Sequence, residues 1–235
     1  MINPMNLVSN VDSQVRAVQN LFITKVYGWM AFALAVTGLV AFSVANTPSM
    51  RSMIFGNQFV FWGLLIGELI LVFAISGAIR HMNPMTATFL FLLYAALNGL
   101  TLSFIFLVYT ATSIASTFFI TAGTFAIMSV FGYVTKTDLT KFGNLLLMVL
   151  IGVIIASVVN IFLKSSGLNW VITIAGIIVF VGLVAYDTQK LKQIGESGLD
   201  MVSEKKMSII GALSLYLDFI NLFLLLLNLF GGRRD

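Results

Sequence analysis

The sequence predicts an all-α membrane protein of seven transmembrane helices, six of them surrounding a central C-terminal one. Three observations carry this. Of 235 residues, 59% are hydrophobic and only 9% charged, with a mean hydropathy of +1.02; no soluble domain of this size needs so much apolar surface. Seven apolar runs can be drawn, roughly 21–45, 57–79, 85–109, 113–135, 142–163, 169–189 and 207–230. Each is close to the ~20 residues that span a hydrocarbon core. Finally, the last run gathers its polar residues on one face: Gly211, Ser214, Asp218, Asn221 and Asn228 follow steps of three, four, three and seven. That is one side of a helix. A carboxylate turned towards lipid costs several kcal/mol, so this helix is expected to be packed round by others.

The remaining elements follow in chain order. Residues 1–20 form a polar, cytoplasmic N-terminus without the basic-then-apolar layout of a cleaved signal, residues 21–230 the seven-helix domain, and residues 231–235 a short basic tail. Asn46-Thr47-Pro48-Ser49 ends the first run and Arg80-His81-Met82-Asn83-Pro84 the second, both with turn chemistry. Tyr109 to Ser113 is a weak break between the third and fourth runs. Lys136 to Lys141 and Lys164 to Gly167 bound the fifth, and the charged stretch Thr188 to Lys206, with Gly195 and Gly198, reads as the one real loop. Small residues such as Gly77, Gly99, Gly123, Gly152, Gly176 and Gly182 allow close helix approach and are read as packing.

Charge orients the bundle. With the N-terminus inside, Arg16, Lys25, Arg80, Lys136, Lys141, Lys190, Lys192, Lys205 and Lys206 fall on the inner face, against Arg51, Lys164, Arg233 and Arg234 outside. Nine against four favours seven crossings over six, with the N-terminus cytoplasmic and the C-terminus outside. The net charge of +4 does not point to nucleic acid, because the basic residues sit at the ends of apolar runs and form no basic face. There is no cysteine, which excludes disulfides and thiol chemistry, and the single histidine, His81, lies in a short loop without metal-binding company.

Three acids fall within apolar runs: Glu68, Asp187 and Asp218. An intramembrane carboxylate is a candidate functional group by default; the plain alternative is a protonated acid that holds helices together by hydrogen bonds. The sequence Val184-Ala-Tyr186-Asp187-Thr-Gln189-Lys-Leu, followed by Ala212-Leu-Ser-Leu-Tyr216-Leu-Asp218-Phe-Ile-Asn221-Leu-Phe223, resembles the Bax inhibitor family in its bacterial branch, from about residue 20 to the end. The resemblance implies a seven-helix fold around the last helix, and a hydrogen-bonded pair, Asp187 and Asp218, that senses pH. It further implies a calcium leak whose opening depends on the protonation state of that pair, at the inner membrane of a bacterium.

Two carboxylates in contact at low dielectric cannot both ionise cheaply, so they share one proton, and its loss creates repulsion that a helix relieves by moving. Carboxylates are also hard oxygen ligands, and Asp187 and Asp218 are candidates for transient calcium contact. Calcium is then the transported ion, and no cofactor is expected. Arg80 is a candidate latch on the same membrane side as Asp187, with positive-inside anchoring as the alternative. Glu68, Ser214, Asn221 and Asn228 are candidates for the ion path or for helix packing. Some relatives pair an acid on the second helix with an Arg late in the last; Asn228 stands there here, so for Glu68 a neutral acid bonded to an amide is expected. A register question remains. Counted from Lys206, Asp218 lies about 18 Å deep, while Asp187 lies only about 5 Å from Lys190, so straight helices of equal register would not bring them together.

The competing reading is an interaction protein that modulates a membrane-bound protease or, as in animal relatives, stress and cell-death machinery. An intramembrane protease is disfavoured, because the Gly-containing motif expected around its second aspartate is absent at Leu217-Asp218-Phe219. No enzyme activity is expected.

Overall fold

A computed structural model describes residues 4–79, 81–198 and 200–234, with side chains from residue 19 onward. The described elements are α1 (Pro4–Ala45), α2 (Pro48–Phe55), α3 (Gln58–Ala78), α4 (Pro84–Leu102), α5 (Ile105–Val108), α6 (Ala111–Val134), α7 (Thr140–Leu163), α8 (Ser166–Glu196) and α9 (Met201–Phe230). Among the described residues, seven stretches are long and apolar enough to cross a membrane: the part of α1 from Gln19, then α3, α4 with α5, α6, α7, α8 and α9.

The helix starts have local causes. Asn57, Asn83, Thr110 and Ser165 each accept a backbone N–H two or three residues on, at Phe59, Thr86, Ser113 and Leu168, which satisfies amides that a first turn leaves free. Pro48 and Pro84 open α2 and α4 where a missing N–H costs nothing. Asp200 caps α9 by accepting from the Val202 and Ser203 amides. Hydrogen bonds from Ser203 and Val202 hold its carboxyl below the ordinary value. The cap is therefore complete at neutral pH and is lost only as the pH falls through that lowered value.

The long loop expected from Thr188 to Lys206 is not there. α8 continues to Glu196 and α9 begins at Met201, so the link shrinks to four residues, 197–200. Polarity misled: Thr188 and Leu191 are buried at helical spacing within the charged stretch, and Leu191 packs where Gly211 of α9 has no side chain. At the other boundary of interest, Tyr109–Thr110 breaks the chain as expected, though α6 resumes at Ala111.

That break leaves backbone groups needing partners at the end of a membrane-spanning stretch. The C-terminal tail supplies them. Thr110 N–H donates to the Gly232 carbonyl (3.1 Å), Arg234 N–H to the Val108 carbonyl (2.9 Å) and Gly232 N–H to Ser113 Oγ (2.9 Å), an isolated antiparallel bridge between Tyr109 and Arg233. The last residues of the chain are thus a strap across the α5–α6 junction.

Burial separates the centre from the rim. In the most apolar part of α9, 67% of residues are buried, against none in the most apolar part of α7. Phe22, Val26, Phe91, Ala95, Val184 and Leu215 belong to the core around α9. The expectation of a central last helix is met, with one refinement. α9 packs chiefly on α8, α1, α6 and α4, whereas α3 lies mainly on α4 and α7 mainly on α8. Six helices accompany α9, but α3 and α7 stand outside the inner ring, because their faces are apolar nearly all round and suit lipid.

Small residues divide the same way. A Cβ on Gly132 would strike the Ala185 carbonyl, one on Gly143 the Tyr186 ring, and one on Gly99 the Thr37 carbonyl. Gly77, Gly123 and Gly152 have open space there and are not packing positions within the chain. Gly132→Ala is therefore expected to lose about 2 kcal/mol, by analogy with overpacked cores, and Gly152→Ala to lose almost nothing. Thermal unfolding of both variants in detergent measures this, and equal losses would refute the distinction.

Candidate functional site

The site is built from the antiparallel pair α8 and α9, joined by the short 197–200 link. Ser214 Oγ donates to Asp187 Oδ2 across this contact. Asp218 lies one helical turn beyond Ser214 on the same face, and its carboxyl lines the same cavity as that of Asp187, near enough for the two to interact. Asp218 is only 5% exposed, and its Oδ2 has no hydrogen-bond partner among the described residues. A hydrogen bond between the two carboxyls would require that one of them carry a proton. The register question is answered by length: α8 runs nine residues past Asp187, or about 14 Å, so Asp187 is well inside its helix.

The residues after Asp187 fasten this level of α8. Thr188 Oγ1 lies 3.1 Å from Tyr27 OH of α1. Gln189 holds the α6–α7 connection with both ends of its amide, accepting from Leu139 N–H (2.8 Å) and donating to the Thr137 carbonyl (2.9 Å). Lys192 Nζ donates to the Tyr133 carbonyl at 3.0 Å. On the other side of the aspartates the packing opens. A cavity of about 590 Å³ lies between α7, α8 and α9, and Asp187, Ser214, Asp218, Asn221 and Asn228 all line it. Its remaining wall is mostly Leu, Ile and Val.

The opposite face of α9 carries a second polar cluster, which the sequence did not single out. Tyr216 OH donates to Asn98 Oδ1 of α4 (3.0 Å) and lies 2.7 Å from Thr37 Oγ1 of α1. Asn98 Nδ2 donates to Glu68 Oε2 of α3 (3.0 Å). Thr101 Oγ1 is 2.8 Å from Glu68 Oε1 and 3.0 Å from the Asn98 carbonyl. A hydroxyl has one hydrogen, so Thr101 donates either to Glu68 or to the Asn98 carbonyl, and a neutral Glu68 would let both contacts be hydrogen bonds at once. Asn98 and Thr101 were legible as a polar pair three residues apart inside an apolar run. Their partner on another helix was not.

The candidate residues thus separate. Asp187, Ser214, Asp218, Asn221 and Asn228 share one cavity. Glu68 is elsewhere, and the amide it bonds is that of Asn98; Asn228 donates to Thr173 Oγ1 at 2.9 Å. Arg80, the candidate latch, lies outside the described residues. Among the described residues, no three His, Cys, Asp or Glu side chains gather as a metal site.

Comparison with known proteins agrees with the motifs. The family model described as inhibitor of apoptosis-promoting Bax1 matches residues 19–235. An Escherichia coli (strain K12) protein named inner membrane protein YbhL is 53% identical over 223 residues, covering 94% of this chain and 95% of its own. A Borreliella burgdorferi protein is 47% identical over 225 residues, covering 95% and 97%. A Streptococcus pyogenes membrane protein is 37% identical over 218 residues, covering 92% and 94%.

The Glu68 cluster makes its own prediction. Gln at this position can accept from Asn98 and donate to Thr101, as neutral Glu does, so Glu68→Gln should change stability by less than about 0.5 kcal/mol. Glu68→Ala leaves the buried Asn98 amide unpaired and should cost about 2 kcal/mol. Unfolding in detergent compares them; if Gln is as damaging as Ala, Glu68 is ionised.

Proposed function

This chain belongs to the Bax inhibitor family of integral membrane proteins, and from that premise we propose that it is a pH-sensitive calcium leak, gated by a proton shared between Asp187 and Asp218. The observation that carries this reading is the placement of the aspartates at one end of a partly open cavity within the bundle. Beyond them, on the side of the 197–200 link, Leu191 closes on Gly211 and Gln189 ties down the α6–α7 connection. The path is therefore a half-channel stopped at the pair.

The gate works by charge. With one proton between them, the carboxyls hold α8 to α9 at the level of Ser214. Without it, two like charges face each other in a low-dielectric site, and the contact weakens. Opening then follows deprotonation, and flux rises with pH. Ionised Asp187 and Asp218 also offer hard oxygen atoms to a passing calcium ion. By analogy with its Escherichia coli relative, the protein resides in a bacterial inner membrane. Its N-terminus is cytoplasmic and its C-terminus outside, in keeping with the basic residues of the 136–141 and 190–206 stretches. A fluorescent reporter that matures only in the cytoplasm should glow when fused to the N-terminus and stay dark when fused after Asp235. The reverse pattern would overturn the orientation.

Calcium-dye flux into liposomes at a series of pH values tests the gate. Wild type should show flux that increases with pH. Asp187→Asn and Asp218→Asn each remove the repulsion and should give low, pH-independent flux, with the double variant adding little, because the two residues act as one switch. Additive effects would make them separate sites. No flux above empty liposomes would sink the leak and favour the interaction-protein reading, for which the outward faces of α3 and α7 are the available surfaces.

A further inference from the structure

We infer that the groove between α1, α6 and α8, at the end of the bundle where the 197–200 link lies, seats one glycerophospholipid. Ser129 donates to an ester carbonyl of the lipid, and Lys192 holds its phosphate. The seat is separate from the aspartate cavity and stands whether or not the chain conducts ions.

Hydroxyls on the membrane-spanning helices commonly spend their hydrogen on the carbonyl one turn back, as Thr121 does on Thr117, Ser157 on Val153 and Thr173 on Asn169. Ser129 of α6 does not. It is 7% exposed, and its Oγ has no hydrogen-bond partner among the described residues. An idle hydroxyl at membrane depth is unfavourable, and an acceptor from outside the chain would satisfy it. Ser129 lines a groove of about 370 Å³. The other hydroxyls of that lining are already engaged: Tyr27 OH lies 3.1 Å from Thr188 Oγ1, and Tyr133 OH donates to Asn20 Oδ1 at 2.9 Å. Ile23, Ala126 and Val130 make the rest of the wall apolar.

A cation stands at one end of the groove. Lys192 Nζ donates to the Tyr133 carbonyl (3.0 Å) and lies 5.3 Å from the centre of the Tyr133 ring. It makes no ion pair among the described residues, and an ammonium has three hydrogens, so two remain for a phosphate. Tyr133 is in the last turn of α6, shortly before Lys136, which is the level of a membrane interface.

The spacing fits a lipid. Ser129 is one turn deeper along α6 than Tyr133, about 6 Å. The polar layer on each side of a bilayer is about 5–7 Å thick. A phosphate at Lys192 therefore brings the ester carbonyls to the level of Ser129, with the acyl chains running on past Ala126. An ester carbonyl only accepts, which is the partner that the Ser129 hydroxyl lacks. A free phosphate would engage Lys192 and leave Ser129 unmatched. Thr188, also in the lining, directly follows Asp187 on α8, so the seated lipid packs against the Tyr27–Thr188 contact that ties α1 to α8.

Native mass spectrometry of the full chain tests this by titration with diester phosphatidylglycerol and with its diether analogue, which has the same phosphate but no ester carbonyls. Wild type should retain one diester lipid. Ser129→Ala should weaken that binding about fivefold, the worth of one hydrogen bond, and leave diether binding as in wild type. Lys192→Gln keeps a donor for the Tyr133 carbonyl but loses the charge, and should weaken both lipids alike. Ser129→Ala removes an unpaired buried group, so thermal unfolding in detergent should show no loss of stability. Equal diester binding by wild type and Ser129→Ala overturns the inference, and is the result expected if the hydroxyl bonds only to water. An equal effect of Ser129→Ala on the diether lipid, or no lipid retained by wild type, overturns it as well.

Discussion

A helix that carries a carboxylate, two amides and a tyrosine hydroxyl cannot lie in hydrocarbon unless each group finds a partner or a polar cavity, because an unmatched polar group there costs several kcal/mol. α9 is that helix, and the rest of the bundle is arranged around satisfying it. α8 meets it with Asp187 at Ser214 and Asp218, and with Thr173 at Asn228. α1 and α4 meet it with Thr37 and Asn98 at Tyr216. α3 enters through Glu68 behind Asn98.

The two faces of α9 have different consequences. Around Tyr216 the bonds run through four helices and the residues are buried and close-packed, with Phe91 and Tyr94 set edge-on to the Tyr216 ring. Each such bond contributes on the order of 1 kcal/mol, and breaking one strands another, so that side resists movement. Around Asp218 the neighbour is a cavity, and α7 beyond it is held chiefly by α8. In the proposed gating, a change of charge at the aspartates is taken up on the cavity side. The fold gives a fixed wall and a yielding one, with the ionisable pair facing the yielding one.

The polar stripe of α9, its central place, and the breaks at Asn46–Ser49, Asn83–Pro84 and Tyr109–Thr110 were legible because each follows from local chemistry or from period. The nearness of Asp187 and Asp218, which line one cavity, was suggested by motif, although depth counting argued against it. The missing piece was the continuation of α8 to Glu196, hidden because its last turns are charged on one side. The same polarity made Thr188 to Lys206 look like a loop. The pairing of Glu68 with Asn98 and Thr101 was out of reach for another reason: a polar residue's partner on a distant helix depends on rotation and register, which no single run encodes. Nor does the sequence distinguish glycines that admit a neighbour, such as Gly132, from those that face outward, such as Gly152.

The proposed gate stands on a single proton held between Asp187 and Asp218. Infrared difference spectroscopy across a pH titration reads protonated buried carboxyls directly, and a Glu68→Gln background removes the other intramembrane acid. One carboxylic C=O band is expected at neutral pH, shifted or lost by Asp187→Asn and by Asp218→Asn alike, and titrating as a single proton. Two bands that respond separately to the two substitutions, or no protonated carboxyl at neutral pH, would contradict it.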